Sequence, residues 1–208
     1  MYKKYIKRII DICISILFMP IYILLFIIIA PIIYFSDKGP VFYNAERLGK
    51  NGKIFKMYKF RTMKVNSEDI RNTDGSTYNG EDDPRVTKIG KVLRKTSIDE
   101  VPQILNVLKG DMSFVGPRPD LPEHIKQYDG NEVRKLDIRP GITGYNQAYY
   151  RNSVEWKERI KNDIYYIDNI SFIMDIKVIL KTILTVFKHE GVYINKDVNK
   201  EEKEYANK

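Results

Sequence analysis

From Ile12 to Phe35 the chain runs for 24 residues without a charge, most of them Ile, Leu and Phe. As an α-helix this stretch would rise ~36 Å, against a bilayer hydrocarbon core of roughly 30 Å. Such a run belongs in lipid. It ends in Tyr34-Phe35-Ser36-Asp37-Lys38 with no small-residue cleavage pattern, so it reads as a retained membrane segment and not as a signal peptide. The mean hydropathy of the chain, −0.37, conceals it because 30% of the residues are charged.

The flanks constrain its topology. Lys3, Lys4, Lys7 and Arg8 precede the run and Lys38, Arg47, Lys50 and Lys53 follow it, so the positive-inside count favours neither end as the outer one. Pro20 and Pro31 interrupt the segment, and each lacks an N–H donor and crowds the carbonyl four residues back. A bent, re-entrant helix that enters and leaves through one leaflet satisfies both facts. A single-pass anchor is an equally good reading of these residues, since prolines are tolerated in membrane helices.

The 208 residues carry 35 Lys and Arg against 27 Asp and Glu, a formal charge of +8, with one cysteine, Cys13, and two histidines. That supply excludes a disulfide framework and a Cys-rich zinc module, and leaves Ser-His-Asp chemistry poorly provided. The chain is expected to divide into a membrane-inserted segment (1–38), a second domain (39–195) and a charged, disordered tail (196–208). Val41 to Leu48 and Ile54 to Phe60 alternate around Asn51-Gly52, the preferred pair for a two-residue hairpin turn. Residues Asn66 to Asp83 form a polar loop of a length suited to a covering lid. Helical spacing resumes from Val86 to Lys109, with a break near Thr96-Ser97 and a stop at Gly110. A Gly/Pro loop, Gly110 to Leu121, leads to a polar helix, and Arg139 to Gly144 is a turn with backbone N–H groups to offer. Phe172 to Phe187 gathers Phe172, Ile173, Ile176, Ile179, Leu180, Ile183, Leu184 and Phe187 on one side. This is the pattern of an interfacial helix or, as the common alternative, of a core-packing one. The expected fold class is α+β, mainly helical: a membrane protein whose N-terminal helix is re-entrant (monotopic) or single-pass, with a small β-hairpin and interfacial amphipathic helices.

Two readings of Ser97-Ile98-Asp99-Glu100 compete. On the tetrad alone the stronger is a capping box, Ser97 bonding the N3 amide and Glu100 reaching back to the Ser97 N–H. The functional reading is that helix N-terminal amides hold Asp99 ionised as a nucleophile toward phosphorus, while Glu100 binds Mg²⁺. Adjacent residues differ by ~100° around a helix, so the two carboxylates would have different roles. Phosphate transfer also needs fixed positive charge. Arg94, Arg118 in Gly116-Pro117-Arg118-Pro119, Arg139 and Arg151 lie in or beside turns, where bidentate phosphate contacts are made. No G-x-x-x-x-G-K-[ST] or G-x-G-x-x-G spacing occurs, so P-loop and Rossmann readings are unsupported.

Four strings together reach beyond composition: Tyr58 to Met63 (YKFRTM), Arg94 to Gln103 (RKTSIDEVPQ), Asn106 to Pro119 (NVLKGDMSFVGPRP) and Arg139 to Gly144 (RPGITG). With them the chain resembles the bacterial sugar transferases known as monotopic phosphoglycosyl transferases, in their small form, from about Lys7 to Val192. The resemblance implies transfer of a sugar 1-phosphate from a UDP-sugar, of the N-acetylated hexose type, to undecaprenyl phosphate. The products would be undecaprenyl diphosphate-sugar and UMP, in the first membrane step of surface-glycan synthesis. It implies Asp99 as the catalytic nucleophile that forms a phosphosugar intermediate, Glu100 as its partner, and Mg²⁺ held by Glu100 and Asp99. Lys59, Arg61, Arg94, Arg118 and Arg151 match basic residues expected at the phosphates, and Arg139 is counted with them. Direct attack by the lipid phosphate, with Asp99 as base, is a variant of the same chemistry. The implied location is the cytoplasmic face of the inner membrane, and the partners are the UDP-sugar, undecaprenyl phosphate, the membrane and a second copy in a homodimer, without nucleic acid. Met19-Pro20 stands where the family commonly has Ser-Pro, and Tyr149-Tyr150 replaces a smaller pair before Arg151-Asn152. The competing class is a non-catalytic, membrane-anchored basic protein that binds anionic lipid or nucleic acid.

Overall fold

In the computed structural model, which describes residues 1–70, 78, 80, 82–150 and 154–187, the apolar run lies in one uninterrupted helix, α1 (Lys7–Asp37). A π-helical turn at Tyr2–Ile6 leads into it. Its 31 residues span ~46 Å. Pro20 and Pro31 both lie inside, and the helix continues through each. A bend at either proline is therefore not a break in the helix. Leu17, Leu24, Ile27 and Phe35 are exposed, and α1 is long and apolar enough to cross a membrane.

One stripe of α1 is covered. Asp11, Ser15, Tyr22, Ile29 and Ile33 are buried at spacings of four and seven, which keep to one side of a helix. Tyr22, Ile29 and Ile33 pack against Phe60, Leu93 and Ile104, so α1 is one wall of the core. Its first turns are tied by polar contacts. Arg8 donates to the carbonyls of Val107 (2.5 Å) and Leu108 (2.9 Å). Asp11 accepts from the Ser113 hydroxyl and the Phe114 N–H, both at 3.1 Å. Tyr2 and Lys7 both donate to Asp175.

β1 (Phe42–Leu48) and β2 (Ile54–Phe60) pair antiparallel, with Phe42 opposite Phe60 and Leu48 opposite Ile54. Asn51 and Gly52 take the positive φ values that Asn-Gly favours, 59° and 72°. The connection is five residues, Gly49–Lys53, and not the expected two, because a 3₁₀ turn at Lys50–Gly52 is closed by Gly49 N–H to Lys53 O at 2.8 Å. Phe26 of α1 stacks on Phe42 at 5.6 Å, which sets that end of the hairpin against α1. The Leu48 end lies ~20 Å further along the strand.

The expected break at Thr96-Ser97 is present. α2 (Lys88–Thr96) starts on Thr87, whose hydroxyl accepts from Gly90 N–H, and ends at Ser97 in the left-handed region, φ 58°. A 3₁₀ turn, Ile98–Glu100, leads to α3 (Gln103–Lys109), which Gly110 closes at φ 91°. Beyond it, two segments read as loops pair instead as parallel strands, β3 (Ser113–Val115) and β4 (Gly141–Thr143). Gly116 and Gly141 let them meet, since a Cβ on either would lie 2.5 or 2.2 Å from backbone atoms. The N–H groups expected to be on offer are consumed here, Gly116 on Thr143 O and Gly141 on Pro117 O.

The polar helix resolves into two 3₁₀ stretches, Pro122–Gln127 and Gly130–Asp137. α4 (Tyr145–Tyr149), α5 (Trp156–Asp168) and α6 (Phe172–Phe187) complete a mainly helical fold with two small sheets. A second core gathers Val115, Leu136, Ile160, Tyr166 and Val178. In α6 only the Val178 side is committed to it. Phe172, Ile173, Ile176, Leu180, Ile183 and Leu184 are exposed, so core packing does not account for the apolar face. The tail 196–208, Arg151 and most of the centre of the 66–83 loop lie outside the described residues.

Candidate active site

The Asp99-Glu100 turn is made by a helix end, not by a helix start. Ser97 donates its N–H to the Arg94 and Leu93 carbonyls as the left-handed C-cap of α2, and its side chain caps nothing. Glu100 does not reach back to Ser97; its Oε1 accepts from Lys59 Nζ at 2.6 Å. The capping box is thereby overturned, because a residue with φ 58° ends one helix and cannot occupy the extended N-cap geometry of the next. What remains is a single tight turn that projects two adjacent carboxylates.

Asn106 fixes that turn against the hairpin. Fully buried in α3, it accepts from Tyr58 N–H at 2.9 Å and donates to Lys56 O at 2.8 Å, satisfying the free edge of β2 on either side of Met57. Lys59, next along β2, is thus held at Glu100. At the end of the same strand Gly90 sits so close to Thr62 that a Cβ would lie 2.1 Å from its carbonyl oxygen. Arg94, one turn further along α2, donates from Nε to Thr62 Oγ1 at 2.9 Å. Asn106 and Thr62 were not singled out by sequence reasoning. The signal was an amide and a hydroxyl inside two otherwise recognisable strings, with nothing to mark them as clamps.

The two carboxylates are electrostatically unlike. Burial pushes the Asp99 pKa up to about 6; Lys59 and Arg94 counter this, and Glu100 adds to it. Burial also acts against Glu100, but Lys59 and Arg118 outweigh it and hold its pKa below the usual carboxylate value. Helix-terminal amides are thus a minor influence on Asp99, since the local turn is short and desolvation is the larger effect. Asp99 forms no salt bridge among the described residues, and at pH 7 it is still mainly ionised. A half-buried carboxylate with a raised pKa and no ion-pair partner is more basic than an ordinary one, which suits a nucleophile or a base.

The predicted basic residues divide. Lys59, Arg94 and Arg118 act on the carboxylate pair. Arg61 is occupied elsewhere: it forms a two-pronged ion pair with Asp37, 2.6 Å for each bond, and donates to the Pro40 and Met63 carbonyls. With those donors used, it secures the end of α1 to the hairpin and is not presented to a phosphate. Arg139 donates to Gly110 O at 2.7 Å, beside Arg8 at the C-terminal end of α3.

Residues 2–189 match the bacterial sugar transferase family. The chain belongs to this family. Among relatives of the transferase, the galactosyl transferase CpsE of Streptococcus agalactiae is 45% identical over 75% of the chain and 36% of its own length. The exopolysaccharide production protein ExoY of Sinorhizobium fredii is 39% identical over 90% of the chain and 88% of its own length. A UDP-N-acetylgalactosamine-undecaprenyl-phosphate N-acetylgalactosaminephosphotransferase of Aeromonas hydrophila is 38% identical over 90% of the chain and 45% of its own length. The transferase thus spans nearly all of ExoY and less than half of the other two.

Proposed function

We propose that this transferase moves a sugar 1-phosphate from a UDP-sugar to undecaprenyl phosphate, giving undecaprenyl diphosphate-sugar and UMP through a covalent Asp99 intermediate. The observation that carries the reading is the unlike carboxylate pair: Glu100 held by Lys59, and Asp99 without a salt bridge among the described residues and raised to about pKa 6. The relatives' names supply the substrate classes, a UDP-linked hexose and undecaprenyl phosphate. They divide between galactose and N-acetylgalactosamine, and an N-acetylated hexose is the donor we favour.

In the first step an Asp99 carboxylate oxygen attacks the phosphorus that bears the sugar. The bond from that phosphorus to the bridging oxygen breaks, and UMP leaves with the electron pair. In the second step a phosphate oxygen of undecaprenyl phosphate attacks the same phosphorus, and Asp99 departs as a free carboxylate. No proton need move onto Asp99 in either step, so its ionised form is the working one. Lys59 and Arg94 flank the pair with positive charge, which lowers repulsion between a carboxylate and an anionic diphosphate.

Asp99 and Glu100 also suit Mg²⁺, which binds through one or two carboxylates together with substrate phosphate oxygens. Glu100 raises the Asp99 pKa, and a divalent cation on the pair would relieve that repulsion. When bound, it supplies Lewis-acid stabilisation of the phosphate oxygens. The exposed faces of α1 and α6 support a membrane location, and we assign the site to the cytoplasmic face, with α1 re-entrant.

The test is incubation of detergent-solubilised protein with radiolabelled UDP-sugars, without lipid. A labelled protein adduct and UMP are expected from the wild type, and neither from Asp99→Asn. UMP release that requires the lipid, with no adduct, would instead favour direct attack with Asp99 as base. A basic lipid-binding protein would release no UMP under any condition.

A further inference from the structure

The last two turns of α1 and the start of α2 flank an open groove of about 800 Å³. Pro31, Ile32, Phe35 and Ile89 give it an apolar surface, and two exposed lysines, Lys64 and Lys88, also line it. Ile32 and Phe35 are 46% and 77% exposed, so the groove is continuous with the apolar surface that α1 presents to lipid. Tyr34 between them and the apolar core of the fold is 48% exposed, and tyrosine is a side chain of the membrane–water boundary.

The other polar groups that line the groove are bonded within the fold. Ser36 donates to Ile33 O at 2.7 Å. Thr87 accepts from Gly90 N–H at 3.0 Å, and its hydroxyl donates to Thr62 O at 3.3 Å. Asp37, the acid among the lining residues, holds the Arg61 fork and accepts from Val65 N–H, so its charge is matched internally. The first turn of α2 adds no acid. Among the described residues neither the Lys64 nor the Lys88 ammonium has an ion-pair or hydrogen-bond partner. What is left is an apolar slot with two uncompensated cations, the complement of an amphiphile that carries a hydrocarbon chain under an anionic head.

Position separates this slot from the reaction. Lys88 opens α2 and Ser97 closes it, a rise of about 13 Å, and Asp99 lies beyond Ser97. A phosphate held at Lys88 is out of bonding reach of Asp99, so the occupant's phosphate is not the reacting one. An isoprenoid whose phosphate sat at Asp99 would leave both ammonium groups unanswered. We propose that the groove between α1 and α2 binds an anionic membrane phospholipid, one acyl chain against Ile32, Phe35 and Ile89 and the headgroup phosphate on Lys64 and Lys88. This rests on the membrane location given above for α1, and not on the covalent mechanism.

The experiment is native mass spectrometry of the full-length protein released from detergent micelles that contain phosphatidylglycerol, phosphatidylcholine with the same chains, and undecaprenyl phosphate in equal amounts. The wild type is expected to retain one phosphatidylglycerol in preference to phosphatidylcholine. Lys64→Gln and Lys88→Gln should each weaken that retention roughly fivefold, and the pair together more, with phosphatidylcholine unchanged. These side chains are exposed, so their loss should not alter the melting temperature. Lys50→Gln with Lys53→Gln removes the same charge from the hairpin connection and should retain the lipid as the wild type does. Equal loss in that control overturns the proposal, because the attraction would then be a diffuse field and not a site. No preference for phosphatidylglycerol also overturns it, as does a loss in the groove variants confined to undecaprenyl phosphate, which would give the groove to the acceptor. The deacylated headgroup, glycerophosphoglycerol, should not be retained, and retention equal to that of the intact lipid would remove the acyl chain from the site. Lipid retention is read without turnover. A wild type that keeps phosphatidylglycerol yet releases no UMP from any UDP-sugar would refute the transfer reaction alone, and UMP release without lipid preference would refute the groove alone.

Discussion

The molecule uses a lysine between two carboxylates twice, with opposite outcomes. Lys135 is buried and bonded to both Asp120 and Asp163, and Asp120 accepts a further bond from Tyr128. Among the described residues Lys59 is bonded to Glu100 alone, and Asp99 forms no salt bridge. In both places one carboxylate falls below its usual pKa and the other rises to about 6, Asp163 in the first and Asp99 in the second. Burial lifts one member of each pair because a single ammonium cannot fully compensate two desolvated charges. The difference is access: Asp163 is closed off in the core, whereas Asp99 is only half-buried, on a turn. Similar ingredients thus make a structural strut in one place and, on the proposed mechanism, a reactive group in the other.

The largest effect that tests this contrast is Asp99→Asn. It should abolish UMP release and the phosphosugar adduct while leaving the melting temperature equal or higher. The sign follows from the shift: the fold raises the Asp99 pKa from 3.8 to about 6, so the ionised form is disfavoured at pH 7 and its removal relieves a penalty. Next comes Lys135→Met, which leaves two buried carboxylates uncompensated and should cost about 3–5 kcal/mol in denaturant unfolding. Lys59→Met removes a part-buried pair at the edge of the site, so it should cost less than Lys135→Met and act mainly on turnover. A reversal of these two, with Lys59→Met unfolding the protein and Lys135→Met slowing only the reaction, would collapse the distinction.

A smaller effect is expected from Asn106→Ala, which leaves the Tyr58 N–H and Lys56 carbonyl without their partner. It should cost about 1–3 kcal/mol and lower kcat as the carboxylate turn loosens against β2. A variant destabilised to that degree but with wild-type kcat would show that the clamp serves the fold alone. The smallest effect is a pH shift. Because the proposed mechanism uses ionised Asp99, whose pKa is raised to about 6, kcat/KM should be retained above that pH and fall as pH drops through it. Lys59 lowers the Asp99 pKa, so residual activity in Lys59→Met should show its acid limb at higher pH.

Local signals carried much of this architecture. Alternation around Asn51-Gly52 located both hairpin arms, and the apolar spacing located α2, α3 and α6 with the break at Ser97. The Asp99-Glu100 pair stood out by its string. The short strands β3 and β4 did not, because three residues flanked by Gly and Pro have no measurable period and their pairing joins segments far apart in the chain. The capping box was misleading for a related reason: Ser-x-x-Glu is satisfied by sequence, but whether Ser97 starts or ends a helix depends on its φ. Arg61 could not be told from a phosphate ligand until Asp37 was placed against it at the end of α1.

The covered stripe of α1 has a consequence for how such a chain can change. A gene trimmed to begin at Val41 would encode more than an unanchored enzyme: Phe60, Leu93 and Ile104 would lose the helix that covers them, and the last carbonyls of α3 would lose Arg8. Membrane contact and core packing are written in the same forty residues, so losing that segment would uncover the core as well as remove the apolar helix.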